Sequence, residues 1–199
     1  MTAKPEDFAD RDGDNCTRFA LEGCRHLGEL DDVGIQSLLA PFFERCGGSA
    51  DYRHRQAAPM VLAIVGDNVE TVGEDVEIVL FAVTRAARDP HPVVRSACAV
   101  SVREAVTRFL GASDHEEDVD VSGFLEPLHL LLADVEASVC VEAAIAMREI
   151  LLQDTRSYMP SFNALMGCIE STANATVKEQ CMVTLSIFFE GKKKVKAKT

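Results

Sequence analysis

The stretch that decides the fold runs from Asp89 to Glu104 and reads Asp-Pro-His-Pro-Val-Val-Arg-Ser-Ala-Cys-Ala-Val-Ser-Val-Arg-Glu. It recurs 45 residues later, from Asp134 to Glu149, as Asp-Val-Glu-Ala-Ser-Val-Cys-Val-Glu-Ala-Ala-Ile-Ala-Met-Arg-Glu. Acidic, small and apolar positions coincide in the two copies, and both copies end on Arg-Glu. Self-similarity with a period of about 40 residues is typical of stacked helical hairpins, so such an array is our first hypothesis.

The same frame extends in both directions from the quoted copies. The position of Arg95 recurs at spacings of 37, 40, 45 and 38 residues, at Arg18, Arg55, Arg95, Cys140 and Lys178. A further apolar stretch precedes each later copy, and its i, i+3 and i+4 spacing favours helix over strand. These stretches are 33–43, 76–86, 121–133 and 158–169. The sequence therefore predicts two helices per unit.

Turn-forming residues lie where this scheme needs them. Within units they occupy 47–51, 89–92, 134–137 and 171–174, and between units 66–68, 111–114 and 153–155. Pro92 suits the first position of a helix, where its missing N–H has no partner in any case. Pro41, Pro59 and Pro127 lie inside apolar stretches and predict kinks or first-turn placements.

These observations predict an all-α chain, a right-handed α-α superhelix of about four helical hairpins. Its parts are a flexible acidic N-terminus 1–13, a lone second helix 14–28, hairpins 31–66, 74–110, 121–152 and 157–190, and a basic tail 191–199. The end of an array without a cap leaves an apolar face open. We expect Phe8 to cover part of that face, a partner to dock there, or the array to be longer.

The composition agrees with a helical core and an intracellular location. The chain is 47% hydrophobic and has no Trp, so Leu, Val, Ala and Ile must form most of the core. Seven Cys are spread singly with no Cys-x-x-Cys pair, which predicts reduced thiols and argues against a disulfide framework or a zinc site. The acidic N-terminus does not resemble a signal or transit peptide, and no apolar run approaches the length of a membrane span. We expect a soluble cytoplasmic protein, with the nucleus as an alternative.

The charge distribution bears on the kind of partner. The formal net charge is −12 although five lysines lie in the tail 191–199, so the body of the chain is strongly acidic. An acidic body repels nucleic acid and favours basic partner surfaces. The lysine tail has three interpretations: a solubilising helix end, a nuclear-import signal at 193–196, or a nucleic-acid contact.

The pattern of Asp89, Val94-Arg95 and Ala97-Cys98 resembles the second helix of a HEAT repeat, a member of the armadillo-type class. The resemblance implies a ladder of hydrogen-bonded charges between neighbouring turns, and carried over by position its members are Asp12, Arg18, Arg55, Asp89, Arg95 and Asp134. Cys140 and Lys178 depart from the Arg, and no Asp precedes Lys178 at the required spacing, so the ladder should weaken toward the C-terminus.

Within the HEAT family, the chain is most similar to the scaffolding A subunit of protein phosphatase 2A, through the stretch Ser-Leu-Leu-Ala-Pro-Phe-Phe-Glu-Arg-Cys at 37–46. That resemblance implies a scaffold whose partner is a phosphatase catalytic or regulatory subunit. The alternatives on the same fold are a metal enzyme similar to the deoxyhypusine hydroxylases or the lyases, and a nuclear-transport or chromosome-associated HEAT protein.

Nothing in the sequence indicates catalysis, a cofactor or a resident metal. His115-Glu116 resembles the iron-binding pairs of the hydroxylases, but it is single and lies in the acidic loop 114–120. There is no phosphate-binding loop, no dinucleotide fingerprint and no positioned nucleophile and base. We therefore expect a non-catalytic adaptor.

Two surfaces are candidates for partner binding. The first is the ridge of inter-helix turns, at Asp89, Pro90, His91, Asp134 and Glu136. The second is one face of the second helices, where Arg103 and Arg148 occupy equivalent positions and could offer two guanidinium groups in register. The alternative for these arginines is an ordinary exposed charge paired with Glu104 or Glu149.

Overall fold

The computed structural model describes residues 41, 42, 44–65, 80–111, 122–153 and 158–196. For 62–65, 108–111, 153, 158 and 189–196 it describes the backbone alone. Several sequence predictions lie outside the described residues: the acidic N-terminus 1–13 with Phe8, the helix 14–28, the ladder positions Asp12 and Arg18, and His115-Glu116.

All regular structure in the described ranges is helical, and none of these residues lies in a strand, which confirms the all-α prediction for them. The helices are α1 (Tyr52–Val65), α2 (Pro92–Gly111), α3 (Leu125–Leu132), α4 (Ala137–Gln153), α5 (Tyr158–Ser171) and α6 (Ala175–Lys196). A 3-10 turn at Ser122–Phe124 leads into α3, and residues 44–47 and 80–86 are also helical.

Helices α1, α2, α4 and α6 begin after turns in which a polar side chain accepts a backbone N–H two residues later. The residue three positions before each helix does this, at Ser49 (3.2 Å), Asp89 (2.8 Å), Asp134 (2.9 Å) and Thr172 (3.2 Å). The residue directly before the helix repeats the contact, at Asp51 (2.9 Å), His91 (3.3 Å) and Asn174 (3.0 Å). Such side chains satisfy the unpaired N–H groups of a first helical turn, and so these turns stop one helix and start the next.

The helices pack in two rows. In the first row α1 packs on α2, α2 on α4, and α4 on α6. In the second row α3 packs on α5, and each also contacts the helix that follows it in the chain, α4 or α6. The region 80–86, α3 and α5 thus precede α2, α4 and α6 respectively as first members of helical hairpins.

Small and branched side chains let the helices of the first row approach closely. From α2 and α4 the fully buried residues include Cys98, Ala99, Val102, Val106, Val139, Ala143, Ala144, Met147 and Ile150. Each fully buried Val, Ile or Met contributes about 1.5–3 kcal/mol relative to an exposed one. The hydroxyl of Thr184 on α6 also donates a buried hydrogen bond of 2.9 Å to the carbonyl oxygen of Ala144 on α4.

Aliphatic and aromatic side chains fill the space between the two rows. Phe124, Leu128, Leu131 and Leu165 are almost completely buried there. A Cβ atom on Gly123 would lie 2.8 Å from Cδ1 of Leu80, so the absence of a side chain at Gly123 lets the 3-10 turn pack directly against Leu80. The core therefore fixes the position of α3 relative to the preceding hairpin.

The prolines of α1, α2 and α3 occupy different positions in their helices. Pro92 is the first residue of α2, as predicted. Pro127 is the third residue of α3, a first-turn position, whereas Pro59 lies in the interior of α1 and leaves the carbonyl group of Arg55 without its helical donor.

Helix α6 continues to Lys196 and so extends past the predicted boundary at 190 into the basic tail. Among the described helices, none combines the length and the hydropathy that crossing a bilayer requires.

Candidate functional site: the turn ladder and the groove beside it

The most regular polar feature is a series of ion pairs between successive inter-helix turns, Arg55 with Asp89 and Arg95 with Asp134, which we call the turn ladder. Arg55 donates from Nε and Nη2 to the two carboxylate oxygens of Asp89, at 2.6 and 3.0 Å. Its third nitrogen, Nη1, donates to the carbonyl oxygens of Ser49 and Ala50 in its own turn, at 2.9 and 3.0 Å. One guanidinium therefore joins the turn before α1 to the turn before α2.

Arg95 makes the same contacts one hairpin later. Its Nε and Nη2 donate to Asp134 at 2.5 and 2.9 Å. Its Nη1 donates to the carbonyl oxygens of Asp89 and Pro90, at 2.8 and 3.1 Å. The structure thus brings together four of the six ladder residues that the family resemblance implies, and it pairs each Arg with the Asp of the following turn.

Burial and pairing set the electrostatics of the ladder. The carboxylates of Asp89 and Asp134 are only 8% and 7% exposed, and the partner arginines 15% and 14%. Burial on its own raises the pKa of each carboxyl, but hydrogen bonds from the partner Arg and from the backbone outweigh it and lower the net pKa. Bidentate pairs of this kind fix both distance and orientation, so the ladder holds neighbouring turns in one register.

At the next turn the ladder changes chemistry. Cys140 occupies the Arg position, and its thiol donates to the carbonyl oxygen of Asp134 at 3.2 Å. Thr172 occupies the Asp position, where its hydroxyl accepts the N–H of Asn174 at 3.2 Å. The cation and the anion are replaced together, so no uncompensated charge is buried at this turn. The ladder therefore weakens toward the C-terminus by losing both charges of the pair.

Arg103 makes a second link between α2 and α4. It contacts Glu104 at 3.2 Å and Glu142 at 3.4 Å. The sequence interpretation included the pair with Glu104 but missed the one with Glu142. The signal was present, because Arg103 and Glu142 are separated by 39 residues, as are Arg95 and Asp134.

Arg148 does not share the environment of Arg103. Its side chain is exposed, and the residue equivalent to Glu142 in the next hairpin is Gln180, which carries no charge. The two arginines therefore differ in exposure and in the residue at the equivalent partner position, and a common role in partner binding stays a prediction.

An aromatic stack joins the first two described turns. The rings of Tyr52 and His91 lie 3.8 Å apart between centroids, with an angle of 6° between their planes. Nδ1 of His91 accepts the N–H of Val93 at 3.3 Å, which requires that nitrogen to be unprotonated. Burial lowers the pKa of His91; Asp89 opposes this effect, and the nearby charges of Arg55 and Arg95 add to it. We did not expect the stack from the sequence, although Tyr52 and His91 are also 39 residues apart.

The predicted turn-ridge contacts separate into two groups. Asp89, Asp134 and His91 take part in the ladder, the caps and the stack, so they have a structural role in the turns. Pro90 and Glu136 are exposed. The apex residues of the four turns are all exposed and all apolar: Ala50, Pro90, Val135 and Ala173. Val135 is 93% exposed and is the most prominent of them.

Beside the turns, a groove of about 540 Å³ crosses the middle of α1, the N-terminal half of α2 and the start of α4. Its apolar lining consists of Met60, Pro92, Val93, Ala97 and Val100. Its polar lining consists of Gln56, Ser96, Glu136 and Ser138. Because Pro92 and Glu136 belong to both the groove and the turns, the two surfaces are continuous. The sequence pattern did not reveal the groove, which depends on the spacing of three helices.

Three cysteines from three helices meet in the core, at Cys140, Cys168 and Cys181. Burial, followed by interactions with Cys168, raises the pKa of Cys140 to about 11 and that of Cys181 to about 12. Burial alone raises the pKa of Cys98 to about 12. The five cysteines within the described residues are free thiols, and no group of three or more metal-ligating side chains suited to a metal ion occurs there.

Comparison with known proteins gives no family assignment, because no protein-family model and no curated protein matches this sequence.

Proposed function

We propose that the chain is a non-catalytic protein-binding scaffold, built as a HEAT-type, armadillo-like right-handed superhelix of helical hairpins. The observation that carries the proposal is the groove across α1, α2 and α4, because it lies on helices from three successive hairpins and has an apolar floor with a polar rim. Sites that bind proteins are often assembled in this way, from one face of a row of stacked units.

The turn ladder supports this function by holding the groove in shape. The groove is lined by residues of α1, α2 and α4, and the pairs Arg55–Asp89 and Arg95–Asp134 join the turns from which these helices start. Arg103–Glu142 adds a further contact between α2 and α4. A surface that is ordered before binding loses less conformational entropy when the partner arrives, and this favours affinity.

The first partner to test is a phosphatase catalytic or regulatory subunit, since the sequence resembles the phosphatase 2A scaffolding subunit in its first hairpins. The exposed apex residues, above all Val135, extend the same surface along the turn ridge. The expected compartment is the cytoplasm, in keeping with reduced thiols and an acidic body.

The proposal is tested by photo-crosslinking the full-length chain in cells. A photoreactive amino acid at Ser96, on the groove lining, should crosslink to a discrete partner, and one at the exposed Glu170 on α5 should not. Val100→Arg should block the groove and remove the Ser96 crosslink. Val183→Arg, the same change at an exposed position on α6, is the matched control and should leave it. Equal crosslinking at both positions, or a crosslink insensitive to Val100→Arg, would refute the groove as the binding surface.

A further inference from the structure

The groove has a charge pattern that points to the chemistry of its ligand. Among its lining residues the only ionisable side chain is Glu136, and the lining includes no Lys, Arg or His. Glu136 is exposed, so its carboxylate is accessible to a ligand. A carboxylate at the edge of an apolar floor favours a ligand that places a cation next to an aliphatic group.

The next turn of the same helices adds to the negative potential. Glu104 follows Val100 by four residues on α2, and Glu142 follows Ser138 by four residues on α4, so both lie on the groove-facing sides of their helices. Arg103 lies between them, at 3.2 Å from Glu104 and 3.4 Å from Glu142. One guanidinium thus stands against two carboxylates. Arg53 precedes Gln56 by three residues on α1, so with Glu136 this surface has three carboxylates and two guanidinium groups among the described residues.

The floor of the groove determines which apolar group a ligand can place there. Met60, Val93 and Val100 are half-buried, and Ala97 between them is buried, so the floor is open and aliphatic. A volume of about 540 Å³ exceeds what a single side chain needs, and so the groove can take a short segment of chain. The formal charge of −12 also steers cationic ligands toward this molecule over distances of about a Debye length.

We infer that the groove binds a short basic segment of a partner protein, with an aliphatic side chain on the floor formed by Met60, Val93 and Val100 and a Lys or Arg side chain against Glu136. The inference rests on the proposed scaffold function and adds the class of partner to it. Lys and Arg suit such a site because their methylene stems can lie along the apolar floor while the charged group reaches the rim.

The test uses the full-length chain and a labelled octapeptide, Ser-Lys-Lys-Ile-Lys-Val-Lys-Ser, followed by fluorescence anisotropy at 0.15 M salt. We expect saturable binding at one site. Replacing all four lysines by Glu, or Ile and Val by Ser, should weaken binding by about tenfold or more, since each change removes one half of the recognition. Glu136→Arg should weaken binding about tenfold. Glu179→Arg makes the same change in net charge on the exposed side of α6 and should alter it less than about twofold.

Several results would overturn the inference. Equal weakening by Glu136→Arg and Glu179→Arg would show nonspecific attraction to an acidic protein. Tighter binding of the acidic peptide, or no binding of the basic one, would reverse or remove the assigned chemistry. Self-association abolished both by Glu136→Arg and by deletion of 192–199 would make the lysine tail of a second copy the occupant, and not a partner protein. If photo-crosslinking at Ser96 still captures a partner in any of these cases, the scaffold function stands and only the partner class fails.

Discussion

The thiol of Cys140 donates to the carbonyl oxygen of Asp134 at 3.2 Å, and one hairpin earlier Nη1 of Arg95 donates to the equivalent carbonyl oxygen of Asp89 at 2.8 Å. The Cys side chain therefore keeps the contact within the turn and loses the contact to the next turn. Thr172 stands where the missing carboxylate would be, and its hydroxyl already accepts the N–H of Asn174. The ladder thus ends by a paired change of chemistry at two positions.

The paired change predicts strong coupling between positions 140 and 172. Cys140→Arg alone should reduce the free energy of unfolding by roughly 3 kcal/mol, because Cys140 is only 4% exposed and the new cation has no counter-charge. Adding Thr172→Asp should recover about 2 kcal/mol by restoring the bidentate partner. Urea denaturation of the wild type, both single variants and the double variant measures the coupling. Additive effects of the two substitutions would contradict this account of the turn.

The intact ladder predicts a clear difference between two substitutions that both convert an acid to its amide. Asp134→Asn removes the counter-charge of Arg95, whose side chain is 14% exposed, and should lower the free energy of unfolding by about 3 kcal/mol. Glu126→Gln removes the partner of Arg88 in an ion pair whose side chains are 82% and 56% exposed, and should cost less than about 0.5 kcal/mol. Chemical denaturation of the two variants compares them directly. Equal losses would mean that burial of the ladder contributes nothing.

The sequence predicted the helical class and the turns because both are local properties. Apolar spacing sets which segments form helices. The capping residues set where these helices begin, at Tyr52, Pro92, Ala137 and Ala175. The positions of Arg55, Asp89, Arg95 and Asp134 came from the family resemblance, and their pairing distances required the structure.

Contacts that depend on which helix faces meet were beyond the reach of the sequence. The Tyr52–His91 stack and the Arg103–Glu142 pair join residues 39 residues apart, the spacing of Arg95 and Asp134, but spacing does not show which side chains face each other. The meeting of Cys140, Cys168 and Cys181 joins residues with no regular spacing. The predicted boundary at 190 fell short of the end of α6 at Lys196, although a helix end was one of the three interpretations of the lysines. Lysine is a good helix former, and its charge is favourable at a helix C-terminus, which offsets the cost of about 1 kcal/mol for one interior glycine.

The Tyr52–His91 stack predicts a pH dependence of stability. The folded state lowers the pKa of His91 below about 6.5, so folding favours the neutral ring. Its contribution to the free energy of unfolding should be complete above pH 6.5 and be lost as the pH falls from there through the folded pKa. His91→Asn keeps a cap acceptor at this position but cannot titrate, and so the stability of this variant should fall less between pH 7 and about 5.

Urea midpoints across this pH range test the assignment to His91. Burial also lowers the pKa of His129, which adds a pH dependence of stability with the same sign. His129→Gln measures that contribution separately. We expect each single variant to flatten part of the pH dependence, and NMR titration of the His91 ring to give a midpoint below 6.5. A midpoint above 6.5 would mean that Asp89 outweighs burial, and the predicted sign would then be reversed.

The buried thiols predict slow, unfolding-limited labelling. The reactive species is the thiolate, and a pKa of about 12 for Cys98 and Cys181 reduces its fraction near neutral pH on the order of a thousandfold relative to a free cysteine. Both side chains are also inaccessible in the folded state. With a thiol reagent in excess and peptide mapping by mass spectrometry, the half-buried Cys46 should label before either of them. Cys98 and Cys181 should label together, at a rate that rises with urea in parallel with unfolding. Labelling of Cys181 as fast as that of Cys46 in the absence of urea would show that α6 opens locally from α4 and α5 without unfolding the remaining hairpins.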